Sequence, residues 1–189
     1  GSLTCIRGVE WIVFDRLFNN LARGMGTMSK SIAGSTAFVT GSNRGIGRAI
    51  AEALLERGAA RVYTAARRPE SVEALVERWG DRVVPVRLDV TDPQEVAAAA
   101  AIAEDVDLLV NNAGVAGQMG ASILDDEAIE TARWEMEVNY FGLLRVSRAL
   151  APALRANAPA AVVNIASVLG TFGVGEASAA LDVGGEREL

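Results

Sequence analysis

The stretch Thr40-Gly41-Ser42-Asn43-Arg44-Gly45-Ile46-Gly47 combines what a phosphate cradle needs: glycines, an apolar run before them and a helical pattern after them. Glycine permits backbone conformations and close approaches that a side chain blocks. The free N–H groups at a helix start, aided by the helix dipole, attract an anionic diphosphate. The same residues also suit an ordinary tight connection between strand and helix. Arg67 and Arg68, at the end of a later apolar run, form a second group with chemical capacity. Guanidinium geometry matches phosphate bidentately, and a solvated pair at a strand end is the plainer alternative. Asp89 and Asn112 close two further apolar runs. There they either hold a ligand or do a structural job, one solvating a strand end and the other bridging strands.

What the chain lacks narrows the chemistry. It has no histidine and one cysteine, Cys5. A Ser-His-Asp triad, an imidazole base, an internal disulfide and the common zinc patterns are all excluded, and Cys5 reads as an unpaired thiol. With 18 basic and 24 acidic residues the net charge is −6. No basic tract follows a phosphate backbone, so nucleic acid is not an expected partner. No stretch reaches the roughly 18 to 20 uninterrupted apolar residues of a membrane-spanning helix. Nor does the N-terminus show the order of a secretion signal, so the expectation is a cytoplasmic protein without a membrane partner.

These groups need a scaffold, and the apolar pattern predicts one. Short runs rich in β-branched residues predict strands at 36–40, 61–65, 83–88, 107–111 and 161–166, alternating with helices at 45–57, 71–79, 93–104 and 133–156. Such alternation is the mark of βαβ units around a parallel sheet. The third helix has a clear start: Asp92 to cap, Pro93 at the first helical position, Glu95 three residues after the cap, and an alanine run from Ala97 to Ala101. Val83, Val84, Val86 and Leu88, like Val162, Val163 and Ile165, are apolar on both faces of their strands. Helices on both sides of the sheet are therefore expected. Residues 1–30 read as an N-terminal extension ending in a Gly, Ser and Met cluster (Gly24 to Ser29) that resembles a linker or a second start site. Trp11, Phe14, Leu17, Phe18 and Leu21 recur there at helical spacing, as in a short amphipathic helix docked on a core. Residues 31–170 read as one domain and 171–189 as a divergent tail.

In T-G-x-x-x-G-I-G the chain resembles the short-chain dehydrogenase/reductase family, whose cofactor-binding signature this is. Further matches follow in order. Leu88-Asp89-Val90-Thr91-Asp92 is similar to the segment after strand 3, where an aspartate faces the adenine ring. Asn111-Asn112-Ala113-Gly114 is similar to the motif closing strand 4, near the adenosine ribose. Asn139 matches the asparagine of the long helix, and Ser167 the catalytic serine. The resemblance covers about residues 33 to 170. It implies a Rossmann-type doubly wound α/β fold, three layers deep, with five parallel strands in order 3-2-1-4-5. It also implies a nicotinamide dinucleotide held by Gly41, Ser42, Asn43, Arg44, Gly45, Ile46, Gly47, Arg67, Arg68, Asp89, Val90, Asn112, Ala113 and Gly114. Ser167 would steady a carbonyl, and Asn139 would hold a relay water.

Rossmann sites that choose NAD place an acid after strand 2, whereas an arginine accommodates a 2′-phosphate. Here that position reads Ala65-Ala66-Arg67-Arg68, so NADP is expected over NAD, with Arg44 closing on the same phosphate. The family's tyrosine proton donor and the lysine four residues beyond it have no counterpart. No tyrosine or lysine follows Ser167; Tyr63 and Tyr140 precede it, and Lys30 is the only lysine. The expectation is an NADP-dependent oxidoreductase by resemblance, acting on a small carbonyl or alcohol, impaired as written by truncation or frameshift and incomplete on the C-terminal side of its sheet. The alternative is a non-catalytic nucleotide-binding or interaction module. An exposed fifth strand and long helix with Phe141 and Leu144 predict self-association.

Overall fold

The computed structural model describes residues 30–117 and 125–166. The chain divides into Gly1–Ser31 and Ile32–Leu189, and the second unit carries the architecture below. The amphipathic pattern at 11–21, Ser167 and the tail at 171–189 lie outside the described residues.

Among the described residues five parallel strands form one sheet in the order β3-β2-β1-β4-β5, as the alternating pattern and the resemblance predict. They are β1 (Thr36–Thr40), β2 (Arg61–Ala66), β3 (Val83–Arg87), β4 (Leu108–Asn111) and β5 (Ala161–Asn164). The central register aligns Val39 with Thr64 on one side and with Val110 on the other. Side chains alternate across the sheet. Phe38, Tyr63, Val86 and Leu109 join a core with Val96 and Ala99 of α3 (Pro93–Ile102) and with Val146, Leu150 and Leu154 of α5 (Leu143–Ala156). The opposite parity, including Ala37, Val39 and Val62, is buried as well. It faces α1 (Gly45–Glu56), which buries Ile50, Ala51, Leu54 and Leu55 at helical spacing, and α2 (Glu73–Trp79), which buries Leu75. Arg78 and Arg82 tie the second helix to the end of the first: Arg78 pairs with Glu56, and Arg82 donates to the carbonyls of Leu55 and Ala59.

Several predicted elements differ in detail. Residues 69–72 form a 3₁₀ turn led by Pro69, so only 73–79 of the predicted helix is α. The long helix starts earlier than residue 133 and is not continuous: α4 (Ala128–Met136) passes through a π-helical turn, Glu137–Gly142, into α5. β5 stops at Asn164 although Ile165 N–H still donates to the Asn111 carbonyl. Both edge strands depart from burial on two faces. Val162 is 49% exposed, and Pro85 sits outward in β3, where an edge strand tolerates a residue without an N–H.

The helix start at Asp92 is as expected, with its carboxylate accepting from Gln94 N and Glu95 N. Glu95 does not return to the cap residue. Its two oxygens accept instead from Asp89 N and Arg87 Nε, both at 2.7 Å, which fastens the β3–α3 loop to the helix.

Candidate active site

The strand order reverses between β1 and β4, which in open α/β sheets opens a crevice at the carboxyl edge. A cleft of about 1030 Å³ lies there. Its first wall is the β1–α1 turn. Gly41 and Gly45 have φ of +65° and +54°, a region other residues rarely adopt. A Cβ on Gly47 would stand 2.2 Å from the Gly41 carbonyl oxygen, so the turn folds back on itself only because that side chain is missing. Arg44, at the cap position of α1, makes no side-chain cap, and no acid occupies the first turn. The first amides of a helix have no partner within it, so this positive end is left for an anion.

The second wall is the end of β4, locked to the first. Thr40 Oγ1 accepts from the N–H groups of Asn112 and Ala113, each at 2.9 Å. Asn112 Nδ2 donates to the carbonyls of Thr40 at 2.9 Å and Gly41 at 3.2 Å. The bridging job weighed for Asn112 is therefore filled, while Asn112, Ala113 and Gly114 still line the cleft. Of the residues that the resemblance assigns to the dinucleotide, Ser42 does not. It is fully buried, with Oγ 3.4 Å from the Ala65 carbonyl, pinning the turn to β2.

The third wall joins the ends of β2 and β3. Arg67 and Arg68 are exposed and line the cleft with Arg44. Asp89 Oδ1 accepts from Thr91 N at 2.9 Å and Thr91 Oγ1 at 2.7 Å. Partial burial pushes the Asp89 carboxyl up. The two Thr91 hydrogen bonds and the Arg67 charge together outweigh it and hold the group below the ordinary carboxylate value. Val90 is buried at the cleft floor.

Asn139 lies in the π-turn. It exchanges two hydrogen bonds with the backbone of Val115, Oδ1 accepting from its N–H and Nδ2 donating to its carbonyl, each at 2.8 Å. It thereby fastens the segment following β4 to the long helix, but it does not line the cleft itself. Sequence reasoning missed the fourth wall: Glu130, Arg133, Trp134, Glu137 and Val138 project from α4 and the π-turn. No motif marks them, because they reach the cleft through the way the helix docks. Thr40 and Glu95 were visible only as a motif letter and a capping residue. Among the described residues no carboxylate, cysteine or histidine cluster is arranged for a metal, and no helix is long and apolar enough to cross a membrane.

Known proteins share this sequence pattern and this geometry. A family model described as short chain dehydrogenase matches residues 35–179. An oxidoreductase of Botryotinia fuckeliana is 37% identical over 141 residues, covering 72% of this chain and 50% of its own length. A 3-oxoacyl-(acyl-carrier-protein) reductase of Vibrio cholerae is 34% identical over 149 residues, 76% of this chain and 59% of that one. The chain thus spans little more than half the length of these relatives. Among solved structures, a short chain dehydrogenase of Burkholderia cenocepacia in complex with NADP superimposes with a TM-score of 0.69 at 43% identity, covering 80% of this chain and 64% of its own.

Proposed function

This chain belongs to the short-chain dehydrogenase family, and we propose that its cleft binds NADP(H) for hydride transfer between NADPH and a carbonyl or alcohol substrate. One observation carries the reading: an uncapped helix start without a first-turn acid shares a cleft with Arg44, Arg67 and Arg68. The residues fit the group. Gly45 has open space where a side chain would stand, which leaves the turn's backbone reachable from the cleft. The amides of Gly45, Ile46 and Gly47 would hold the diphosphate, and the arginines the 2′-phosphate. Asn43 and Gly41 complete the turn, Asp89 and Val90 line the base side, and Ala113 and Gly114 line the ribose side. The arginines at 67 and 68, where an acid would directly follow β2, disfavour NAD. The NADP complex of the Burkholderia cenocepacia relative supports the same choice.

Bound NADPH would supply the hydride; the chain must supply position and a proton. Ser167 is proposed to steady the carbonyl oxygen. Asn139 is proposed to keep the Val115 backbone and the π-turn in register with it. Proton donation is the weak point of these 189 residues. Tyr63 donates its hydroxyl to Asp105 at 2.7 Å, Tyr140 is exposed, and neither lines the cleft. Loss of a positioned general acid typically costs about 10² to 10⁴-fold. We therefore expect a polypeptide of these residues to bind cofactor and to reduce ketones at background rates. A second copy is the proposed macromolecular partner, since Val162, Phe141 and Leu144 leave apolar surface at the β5 edge and the long helix.

The test is thermal unfolding with NADPH against NADH, followed by NADPH oxidation over a panel of ketones. Stabilisation by NADPH alone supports the arginine argument, and no shift with either nucleotide refutes the cleft assignment. Robust turnover would overturn the missing-donor reasoning.

A further inference from the structure

We infer that Gly142, which lines no part of the cleft, is a positioning residue that sets the depth of the cleft's base-binding side through Val90. The inference rests on the NADP(H) reading above. Gly142 is buried at the end of the π-turn. A Cβ built on it would stand 2.6 Å from Val90 Cγ2 and 3.0 Å from Val90 Cβ, with the Glu137 carbonyl oxygen at 3.4 Å. Val90 therefore lies between the π-turn on one side and the cleft on the other.

A side chain at 142 leaves Val90 few ways to yield. Its branched Cβ restricts χ1, so the 2.6 Å clash at Cγ2 is hard to avoid, whereas the 3.0 Å approach to Cβ is met by a shift of a few tenths of an ångström. The segment carrying Val90 is also tethered. Asp89 N–H donates to Glu95 of α3, and within the segment the Asp89 carboxylate accepts two bonds from Thr91 that stiffen it. Displacement away from Gly142 is then displacement toward the space that a ligand would fill. That space is the adenosine side of the cleft, because the 2′-phosphate arginine follows β2 and Val90 follows its neighbour β3.

The experiment titrates wild type, G142A, V90A and V90A/G142A with NADPH and with adenosine 2′,5′-bisphosphate, which carries only the adenosine end, with thermal unfolding of each variant alongside. G142A is expected to weaken both ligands by about tenfold or more, the scale of an overpacked site. V90A/G142A is expected to bind both within about twofold of V90A, since the smaller side chain takes away the methyl group that the new Cβ would strike. Should G142A alone fail to fold, the comparison of V90A/G142A with V90A still decides. Wild-type affinity in G142A, weakening confined to NADPH, or a double variant that stays weak relative to V90A would overturn the inference. A wild-type chain that binds neither ligand would overturn the cofactor reading instead, and this inference with it.

Discussion

Replacing Gly47 with alanine sets two effects of opposite sign against each other. Gly47 lies in the first turn of α1, and by helix propensity alone the change stabilises by about 1 kcal/mol. The fold opposes it. The new Cβ would stand 2.2 Å from the Gly41 oxygen, 2.8 Å from the Gly41 carbonyl carbon and 2.4 Å from Asn112 Nδ2. None of these can swing aside, since two belong to backbone and the third donates to the carbonyls of Thr40 and Gly41. Overpacking of this kind costs about 1 to 3 kcal/mol, and breaking each Asn112 hydrogen bond adds roughly 1 kcal/mol. The net expectation is a destabilisation of about 2 to 4 kcal/mol, or roughly 5 to 15 °C in Tm for a domain of this size. Urea unfolding followed by far-UV circular dichroism measures it. Gly45→Ala is the control. Its Cβ meets open space, so only the left-handed backbone opposes it, at about 1 to 2 kcal/mol. A G47A protein as stable as wild type, or more stable than G45A, would refute the packing argument for the turn.

Three further outcomes follow from the same geometry. Substituting Arg67 and Arg68 by alanine should erase most of the preference for NADPH over NADH, by about tenfold for each charge-assisted hydrogen bond to the 2′-phosphate that is removed, read from the ratio of Kd values. Asn112→Asp would place a carboxylate against the Thr40 and Gly41 carbonyls and should destabilise by about 1 to 3 kcal/mol in urea. Asp89 has a depressed folded pKa, so its contribution to stability is present above the ordinary carboxylate pKa and is lost as pH falls through the lower folded value. Thr91→Val removes the hydroxyl donor and should flatten the acid limb of urea stability below about pH 4, where an unchanged slope would count against the Thr91 bond.

The parts of this protein that depend on neighbours along the chain could be read without coordinates. The alternation of β-branched runs with helical patterns foretold the strands and their parallel pairing, because each parallel crossover needs a helix between its strands. Asp92 and Pro93 announced α3, because a cap acts on amides only two and three residues away. The glycine turn was visible because positive φ and close approach exclude other residues locally. Other roles depend on how distant segments dock. Glu95 had the spacing of a reciprocal cap, yet it serves Asp89 and Arg87 because β3 and the loop after it deliver a guanidinium and a bare N–H to it. Asn112 had two open readings until the approach of β1 and β4 set its amide between two carbonyls. Trp134, Glu137 and Val138 carry no signal at all. They border the cleft through the way α4 and the π-turn dock beside it. Spacing along a chain encodes interactions a few residues apart, whereas these join segments far apart in sequence, and only the packed sheet and helices supply the distances.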